Sequence, residues 1–315
     1  MGNFNINSGY GMMTAHSLGN PNGMIGKVFH ICKTGSNAWN YVSELYPAYD
    51  NDGVQRVYAC DGTDDDVQIN AAIQAAKGGT NAYIYIYAGA YSLTAAITMA
   101  GRSSLHLIGV NGGGCEVGTV GAAAITQTGD FPCIIMEAYG EVTGLQLINH
   151  PAYPHITIPA NIWRVNIHHN FLWGGGAGAC SYIDATAAAA GSYGFISNNR
   201  FSITGAATAA INVGTGTALT ISKNIITQYN GTLDLGIKVN GAQCMISDNY
   251  IANSGGAGTI TTGITCYQYS TAIGNRIAVG STGNALDGGT AANSYVDNRD
   301  SSTGNTGGQI TNLET

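Results

Sequence analysis

An asparagine recurs at a nearly constant interval through the second half of this 315-residue chain, and it constrains the fold more than any other feature. Four of its occurrences close an Ile-x-x-Asn string and two close shortened versions of that string: Asn170, Asn199, Asn224, Asn249, Asn275 and Asn298. The intervals between them are 29, 25, 25, 26 and 23 residues. Self-similarity at a fixed period of this length indicates a repeat architecture.

Each repeat unit contains short segments in which apolar residues alternate with polar ones. An apolar residue lies two positions beyond the asparagine in five of the six units, at Leu172, Phe201, Ile226, Ile251 and Ile277. A second track runs through Ile211, Ile237 and Ile264, spaced 26 and 27 residues apart. Period-two alternation broken by Gly, Asn and Ser-Thr turns predicts strands. Three strands in each unit of about 25 residues predict one coil of a parallel β-solenoid. A β-sandwich, the competing interpretation, offers no reason for a recurring Ile-x-x-Asn string.

The six asparagines are predicted to be structural corner residues. Asparagine tolerates left-handed backbone angles and bonds locally through its short amide, so we expect it to adopt that conformation at each sharp corner. Stacked amides can also bond to one another along the axis, as they do in cross-β ladders.

The segment in front of the repeats predicts an α-helix that caps the solenoid. Asp64, Asp65 and Asp66 precede an apolar-rich run, which predicts a helix near 64–77 with Thr63 as its N-cap and the carboxylates at its positive end. Gly78 would end the helix in a left-handed conformation. A helix here would cover the open edge of the first coil. We therefore divide the chain into an N-terminal arm over 1–57, a solenoid over 58–300 and a polar tail over 301–315.

Composition excludes several classes of function. Charged residues are 9% of the chain, and its net charge of -7 includes only eleven scattered basic residues, so we expect no binding to nucleic acid. No apolar run reaches the roughly 18 residues of a membrane span, so we expect no membrane contact. The seven cysteines form no CxxC pair and predict buried, reduced thiols rather than disulfides or a zinc site.

The capping segment also carries a family resemblance. The run DGTDDDVQINAAIQAA, a Gly-Gly pair, a Tyr/Ile strand and AGAYSL resemble the opening of pectate-lyase-like parallel β-helices. That superfamily includes polysaccharide lyases, glycoside hydrolases and phage tailspikes. The preceding stretch, which begins GKVFHICKTG, resembles phage-encoded β-helix proteins of the virion. The resemblance implies an all-β fold, a single-stranded right-handed parallel β-helix with an N-terminal α-helical cap and an irregular arm. The right hand also follows from the general handedness of parallel crossovers.

Charged residues within the coils are too sparse to predict a catalytic centre. Arg200, Arg276 and Arg299 each follow a corner asparagine, which predicts one shared edge of the solenoid, as a solvated edge or a subunit contact. An enzyme would need an acid and a base at a fixed separation. The set Asp234, Lys238 and Asp248 is the alternative that would supply them.

Histidines and aromatic residues supply a second set of candidates. The four histidines that lie close in sequence are His150, His155, His168 and His169. Adjacent residues of a strand face opposite sides, so His168 and His169 are expected to diverge, and we interpret the group as surface or subunit-interface histidines rather than as a metal site. Trp163, Trp173 and the tyrosines are expected to pack under turns or between subunits rather than to form a sugar-stacking platform.

These observations lead to a structural rather than a catalytic expectation. The outward positions of the coils are mainly Ala, Thr, Ser, Gly and Asn, which favours obligate assembly, and the resemblance implies three solenoids about a threefold axis. We expect a non-catalytic protein of the phage virion, assembled in the host cytoplasm, most closely a capsid decoration or cement protein. The arm would bind the major capsid protein or another virion protein, and no cofactor or metal is expected. The alternatives are a tailspike-like or pectate-lyase-like enzyme that cleaves a surface polysaccharide, and a glycan-binding adhesin.

Overall fold

The computed structural model describes most of the chain from residue 27 onward. The described ranges are 27–50, 53–76, 81–99, 101, 104–110, 122–148, 152–175, 180–188, 192–215, 217–241, 243–254, 257–267, 269–279, 284–287 and 294–300. Within them the chain forms two α-helices and 28 β-strands. None of the described helices has the length and apolar character needed to cross a membrane.

The strands belong to three sheets, and neighbouring strands of a sheet follow one another in the order below. The first sheet consists of β2 (Val57–Cys60), β1 (Lys27–Lys33), β3 (Ala82–Ile86), β6 (Leu105–Gly109), β9 (Glu141–Thr143), β12 (Val165–His168), β15 (Ser192–Ser197), β18 (Thr217–Ser222), β21 (Met245–Ser247), β24 (Thr271–Ile273) and β27 (Ser294–Val296). The second consists of β4 (Gly89–Leu93), β7 (Ala123–Gln127), β10 (Leu145–Ile148), β13 (Phe171–Gly174), β16 (Arg200–Ile203), β19 (Ile225–Gln228), β22 (Tyr250–Asn253), β25 (Arg276–Ala278) and β28 (Arg299–Asp300). The third consists of β5 (Ile97–Thr98), β8 (Ile134–Ile135), β11 (Ile156–Thr157), β14 (Ser181–Ala185), β17 (Ala207–Val213), β20 (Thr232–Val239), β23 (Thr259–Cys266) and β26 (Asn284–Asp287).

The order of the strands shows a parallel β-solenoid. From β3 onward every third strand belongs to the same sheet, and each pairs in parallel with the strand three places later. Three successive strands therefore complete one coil, and the chain makes about 8 turns. This confirms the predicted parallel β-helix with three short strands in each coil, and it rules out the β-sandwich.

The core is a set of columns in which apolar side chains lie directly above their counterparts. In the first sheet Ile167 pairs with Ile196, and Ile196 pairs with Ile221. In the third sheet Ile211 pairs with Ile237, which confirms the second sequence track. All five of these isoleucines are fully buried. Burying each such side chain contributes roughly 1.5–3 kcal/mol relative to leaving it in water, so the stacked columns supply the main driving force for coiling.

The solenoid begins earlier in the chain than residue 58. Strand β1 lies between β2 and β3 in the first sheet, and helix α1 (Asn37–Leu45) contacts β1. Cys32, Val42 and Val57 form a small buried cluster beneath that helix, separate from the main core. Residues 27–50 and 53–57 are thus built into the first sheet and its outer cover, whereas the segment 1–26 of the proposed arm lies outside the described residues.

Helix α2 (Asp65–Ala75) covers the first edge of the second and third sheets through specific hydrogen bonds. Asp65 Oδ2 accepts from the backbone N–H of Ser92 at 2.9 Å, and Asp66 Oδ1 accepts from that of Thr94 at 2.7 Å. Asn70 Oδ1 accepts from the backbone N–H of Thr98 at 2.9 Å. These three side chains take the place of a preceding strand, because they bond N–H groups that an open sheet edge would leave unpaired.

The predicted N-cap role of Thr63 is wrong. Asp64 is the N-cap, with a left-handed φ of 52° and no capping side-chain bond. Thr63 instead donates its hydroxyl and its N–H to Asp61 Oδ1, both at 2.8 Å, in a local turn. The hydroxyl of Thr63 is therefore bonded within the turn ahead of α2 and cannot cap the helix. The carboxylates of Asp65 and Asp66 face the edge of the sheets. Residues 77–80, which include Lys77 and Gly78, lie outside the described ranges.

Six of the seven cysteines lie in described segments, and each of those six is buried and unbridged, as predicted. Cys115 lies outside the described residues. Burial raises the pKa of the Cys32 thiol to about 12, so this thiol stays protonated at neutral pH.

We predict that Asp66→Ala exposes the edge of the solenoid. The substitution removes the acceptor for the N–H of Thr94 and should lower the free energy of unfolding by about 1–3 kcal/mol. It should also promote aggregation, measured by light scattering during incubation near the unfolding midpoint. Asp66→Asn keeps an acceptor oxygen and should fall between the wild type and the alanine variant. Asp64→Asn, at an exposed position, is the matched control; equal behaviour of Asp64→Asn and Asp66→Ala would contradict the role of α2 as an edge cover.

Candidate functional site

The corner asparagines form a continuous hydrogen-bonded ladder in the described coils. Asn199 donates from Nδ2 to Asn224 Oδ1 at 3.1 Å, and Asn224 donates from Nδ2 to Asn249 Oδ1 at 3.0 Å. The same contact links Asn170 to Asn199, and Asn249 to Asn275. The remaining step is from Asn275 to Asn298, at 2.8 Å. All six asparagines are buried, so the ladder lies inside the corner between the first and second sheets.

Each rung also bonds the backbone, which leaves no amide group of an interior rung unsatisfied. The backbone N–H of Asn199 donates to Asn224 Oδ1 at 3.1 Å, so this oxygen accepts two bonds from the coil before it. The second hydrogen on Asn224 Nδ2 goes to the carbonyl of Ile196 at 2.8 Å. The ladder begins where Asn170 Oδ1 accepts from the N–H of Leu145 at 3.1 Å. An interior asparagine amide thus makes four bonds, which is its full capacity.

The left-handed conformation lies one residue earlier than predicted. At each corner of the ladder the residue with positive φ is the one that precedes the asparagine; these residues are His169, Asn198, Lys223, Asp248, Gly274 and Asp297, with φ between 50° and 67°. The expectation that the corner asparagines adopt this conformation is therefore wrong. The preceding residue reverses the chain, and this directs the asparagine amide into the corner, where it meets the next rung.

A carboxylate held between two imidazoles lies on the outer face of the first sheet. Glu141 Oε2 is 2.6 Å from His106 Nδ1, and Glu141 Oε1 is 2.7 Å from His168 Nε2. Because an ionised carboxylate can only accept, each imidazole donates to it. His106 also stacks on Tyr83, with ring centroids 4.5 Å apart. The paired residues Tyr83, His106 and Glu141 follow one outward column of the sheet.

The two imidazoles strongly favour the ionised form of this carboxylate. Hydrogen bonds from His106 and then from His168 lower the pKa of Glu141 from 4.5 to about 2, against the opposing effect of partial burial. At neutral pH Glu141 therefore holds a fixed negative charge and has no proton to give. Any proton donated at this site would have to come from an imidazole.

Exposed aromatic side chains lie beside this cluster. Tyr139, Trp163, Tyr193 and Phe195 are 47–56% exposed, and the strands that they precede or belong to are in three successive coils. Arg164 lies over the ring of Tyr139 at 5.6 Å. Large apolar side chains grouped on a surface indicate an interaction site. We call these four aromatic residues the aromatic patch.

The structure separates the candidate histidines. His155 is completely buried, with Nε2 3.2 Å from the carbonyl of Trp173, and burial lowers its pKa to about 3. His168 and His169 do not diverge as expected: their Nδ1 atoms are 2.8 Å apart, because the left-handed backbone of His169 ends the alternation of the strand. His150 lies outside the described residues. Within the described ranges no three His, Cys, Asp or Glu side chains form a group that could hold a metal ion.

The enzymatic candidates do not share one face. Asp234 and Lys238 belong to β20 in the third sheet, whereas Asp248 follows β21 at the corner after the first sheet. Asp248 lies at the corner just before Asn249, and its side chain is beside Gly274 of the next coil. A site that needs all three side chains within one hydrogen-bonded cluster is therefore not formed.

The three arginines share one column, as predicted. Arg200 pairs with Ile225, which pairs with Tyr250; Tyr250 pairs with Arg276, and Arg276 pairs with Arg299. The guanidinium of Arg276 lies 5.5 Å from the centre of the Tyr250 ring. Ile225 and Tyr250 are 44% and 37% exposed. The first outward column of the second sheet is thus both cationic and apolar.

His106 and Glu141 were missed by sequence reasoning. Both lie in coils that precede Asn170, where no asparagine marks the register. The signal that could have found them is alternation: Leu105 and Leu107 flank His106, and Val142 follows Glu141. Alternation places both on outward positions, but it does not place them in one column.

We predict that Asn224→Ala destabilises the solenoid by about 3 kcal/mol or more. The substitution leaves the backbone N–H of Asn199 and one hydrogen of its side-chain amide buried without an acceptor, at roughly 1–3 kcal/mol for each, and it removes a bond to the carbonyl of Ile196. Urea unfolding followed by circular dichroism measures the loss. Asn230→Ala, at an exposed turn, should stay within about 0.5 kcal/mol of the wild type. Similar losses in the two variants would refute the role assigned to the ladder.

The second prediction for this site concerns pH. Because the pKa of Glu141 is lowered from 4.5 to about 2, its ionised form stabilises the fold fully above pH 4.5, and this contribution is lost as the pH falls toward 2. The difference in free energy of unfolding between wild type and Glu141→Gln should therefore be large near pH 5 and shrink on further acidification. Glu44→Gln, at an exposed position of α1, is the control. A difference that does not change over this pH range would contradict the assignment.

No family model, no curated protein and no solved structure matches the chain.

Proposed function

We propose that the chain is a non-catalytic structural protein of a phage virion, most closely a capsid decoration or cement protein, in which three solenoids associate side by side. The observation that carries the proposal is that large apolar side chains are exposed on two different outer faces. The aromatic patch lies at the first sheet, and Ile225 and Tyr250 lie on the second. Such faces are suited to burial against other proteins.

Two features of the sequence support the same role. Only 9% of the residues are charged, so little repulsion opposes close packing of copies. The segment that contains β1 and α1 resembles the segment that leads into the capping helix of phage virion β-helices. Because residues 27–50 and 53–57 are part of the first sheet and its cover, the part of the arm proposed to bind the major capsid protein or another virion protein is 1–26.

The copy number of this chain on purified phage particles tests the proposed role. Quantitative mass spectrometry of particles, purified free of unassembled protein, should find the chain in a fixed ratio to the major capsid protein. Particles that lack the chain, while free chain is abundant in the same lysate, would overturn the proposal.

The cluster around Glu141 favours a second candidate, an enzyme or adhesin that acts on a polysaccharide. A carboxylate bonded by two imidazoles beside exposed aromatic rings combines groups that can move protons with surfaces on which sugar rings stack. Incubation with capsular and pectic polysaccharides, followed by assays for reducing ends and unsaturated products, separates the candidates. The structural role predicts no product. Product that disappears in His106→Gln and His168→Gln would establish the enzyme, and binding without product would establish the adhesin.

A further inference from the structure

The outer faces of the second and third sheets carry opposite charge. At the described outward positions of the second sheet the charged residues are the arginines of one column, Arg200, Arg276 and Arg299. Those of the third sheet are three carboxylates and one ammonium group, from Asp184, Asp234, Asp287 and Lys238. Two surfaces of opposite charge attract each other and favour association in one orientation.

The arginine column has the composition of an interface core. Exposed Ile225 and Tyr250 lie between Arg200 and Arg276, and the guanidinium of Arg276 rests against the Tyr250 ring. Arginine and aromatic side chains are the residues most enriched where protein surfaces bind. Apolar contact would therefore supply affinity here, and the arginines would supply orientation.

The carboxylates of the third sheet lie at about the same heights along the solenoid axis as the arginines of the second sheet. Arg276 and Asp287 belong to the same coil, formed by β24, β25 and β26. Arg200, on β16, lies one coil after Asp184 and one coil before Asp234. Since successive coils are about 4.8 Å apart, two copies lying side by side at one height would bring Arg276 level with Asp287. Arg200 would then lie within one coil of two carboxylates.

From this placement we infer that the second-sheet face of one copy packs against the third-sheet face of another copy, with the two solenoid axes parallel. The inference rests on the side-by-side assembly proposed above, and it names the surfaces that make the contact. Pairing either face with itself would oppose like charges, which disfavours that alternative. The contact is therefore heterologous and can close into a ring, as a threefold assembly requires.

Charge reversal on each face tests the inference in the full-length chain. Sedimentation equilibrium should find the wild type at a multiple of its 32.4 kDa mass, three times that mass for the proposed trimer. Arg276→Glu and Asp287→Arg should each raise the dissociation constant by roughly tenfold or more, because each opposes like charges. The double variant carries complementary charges again and should regain most of the affinity. Ile225→Ser should weaken association without any change of charge.

Controls separate an effect on association from an effect on folding. Lys223→Glu, at an exposed corner outside both faces, should associate as the wild type does. Unfolding midpoints of all variants, measured where the protein is dissociated, should agree closely. A monomeric wild type, or single reversals without effect, would overturn the inference, as would a double variant weaker than both single variants. Particle binding is measured separately, so a monomer that is still found on virions would leave the virion role in place and overturn only the side-by-side assembly, whereas a self-associating chain absent from virions would overturn only the virion role.

Discussion

The architecture depends on hydrogen bonds between equivalent side chains of successive coils. Each interior asparagine amide is saturated only because another asparagine lies one coil further along the axis. Burying an amide without hydrogen-bond partners lowers the free energy of unfolding. A shift in register would break the side-chain bonds of all the ladder asparagines at once. The ladder therefore specifies which residue lies above which, and the isoleucine columns stabilise the coil once that register is set. Outward side chains are brought into columns by the same register.

The repeating register creates the surfaces of the molecule as well as its interior. Arg276 and Tyr250 lie far apart in sequence from Arg200, yet they share its column because each follows a ladder asparagine. His106 and Glu141 meet because they occupy paired positions of neighbouring strands. The first edge needs a different solution, since among the described residues no strand precedes β4 in the second sheet or β5 in the third. Side chains of α2 supply the missing acceptors there.

Sequence reasoning succeeded where the repeat was visible and failed where local geometry decided the outcome. The spacing of the asparagines predicted the coils from residue 167 onward, the ladder and the arginine column. It could not predict that β1 inserts between β2 and β3, because this strand lies ahead of the repeats and pairs with strands distant in sequence. The left-handed residue was misplaced by one position, since the backbone preference of asparagine put the reversal on the asparagine itself, whereas its amide is needed inside the corner and the preceding residue makes the reversal. The pairing of His106 with Glu141 requires knowing the length of each coil between them, which the unmarked early coils do not reveal.

Hydrogen exchange of single backbone amides tests the central claim most directly. The backbone N–H groups of Asn199, Asn224 and Asn249 each donate to the side chain of the next rung. The ladder predicts that these three amides exchange only through global unfolding of the solenoid, as slowly as the amides of the buried isoleucine columns. Exchange of the three at the rate of an exposed turn amide such as that of Asn230 would contradict the account.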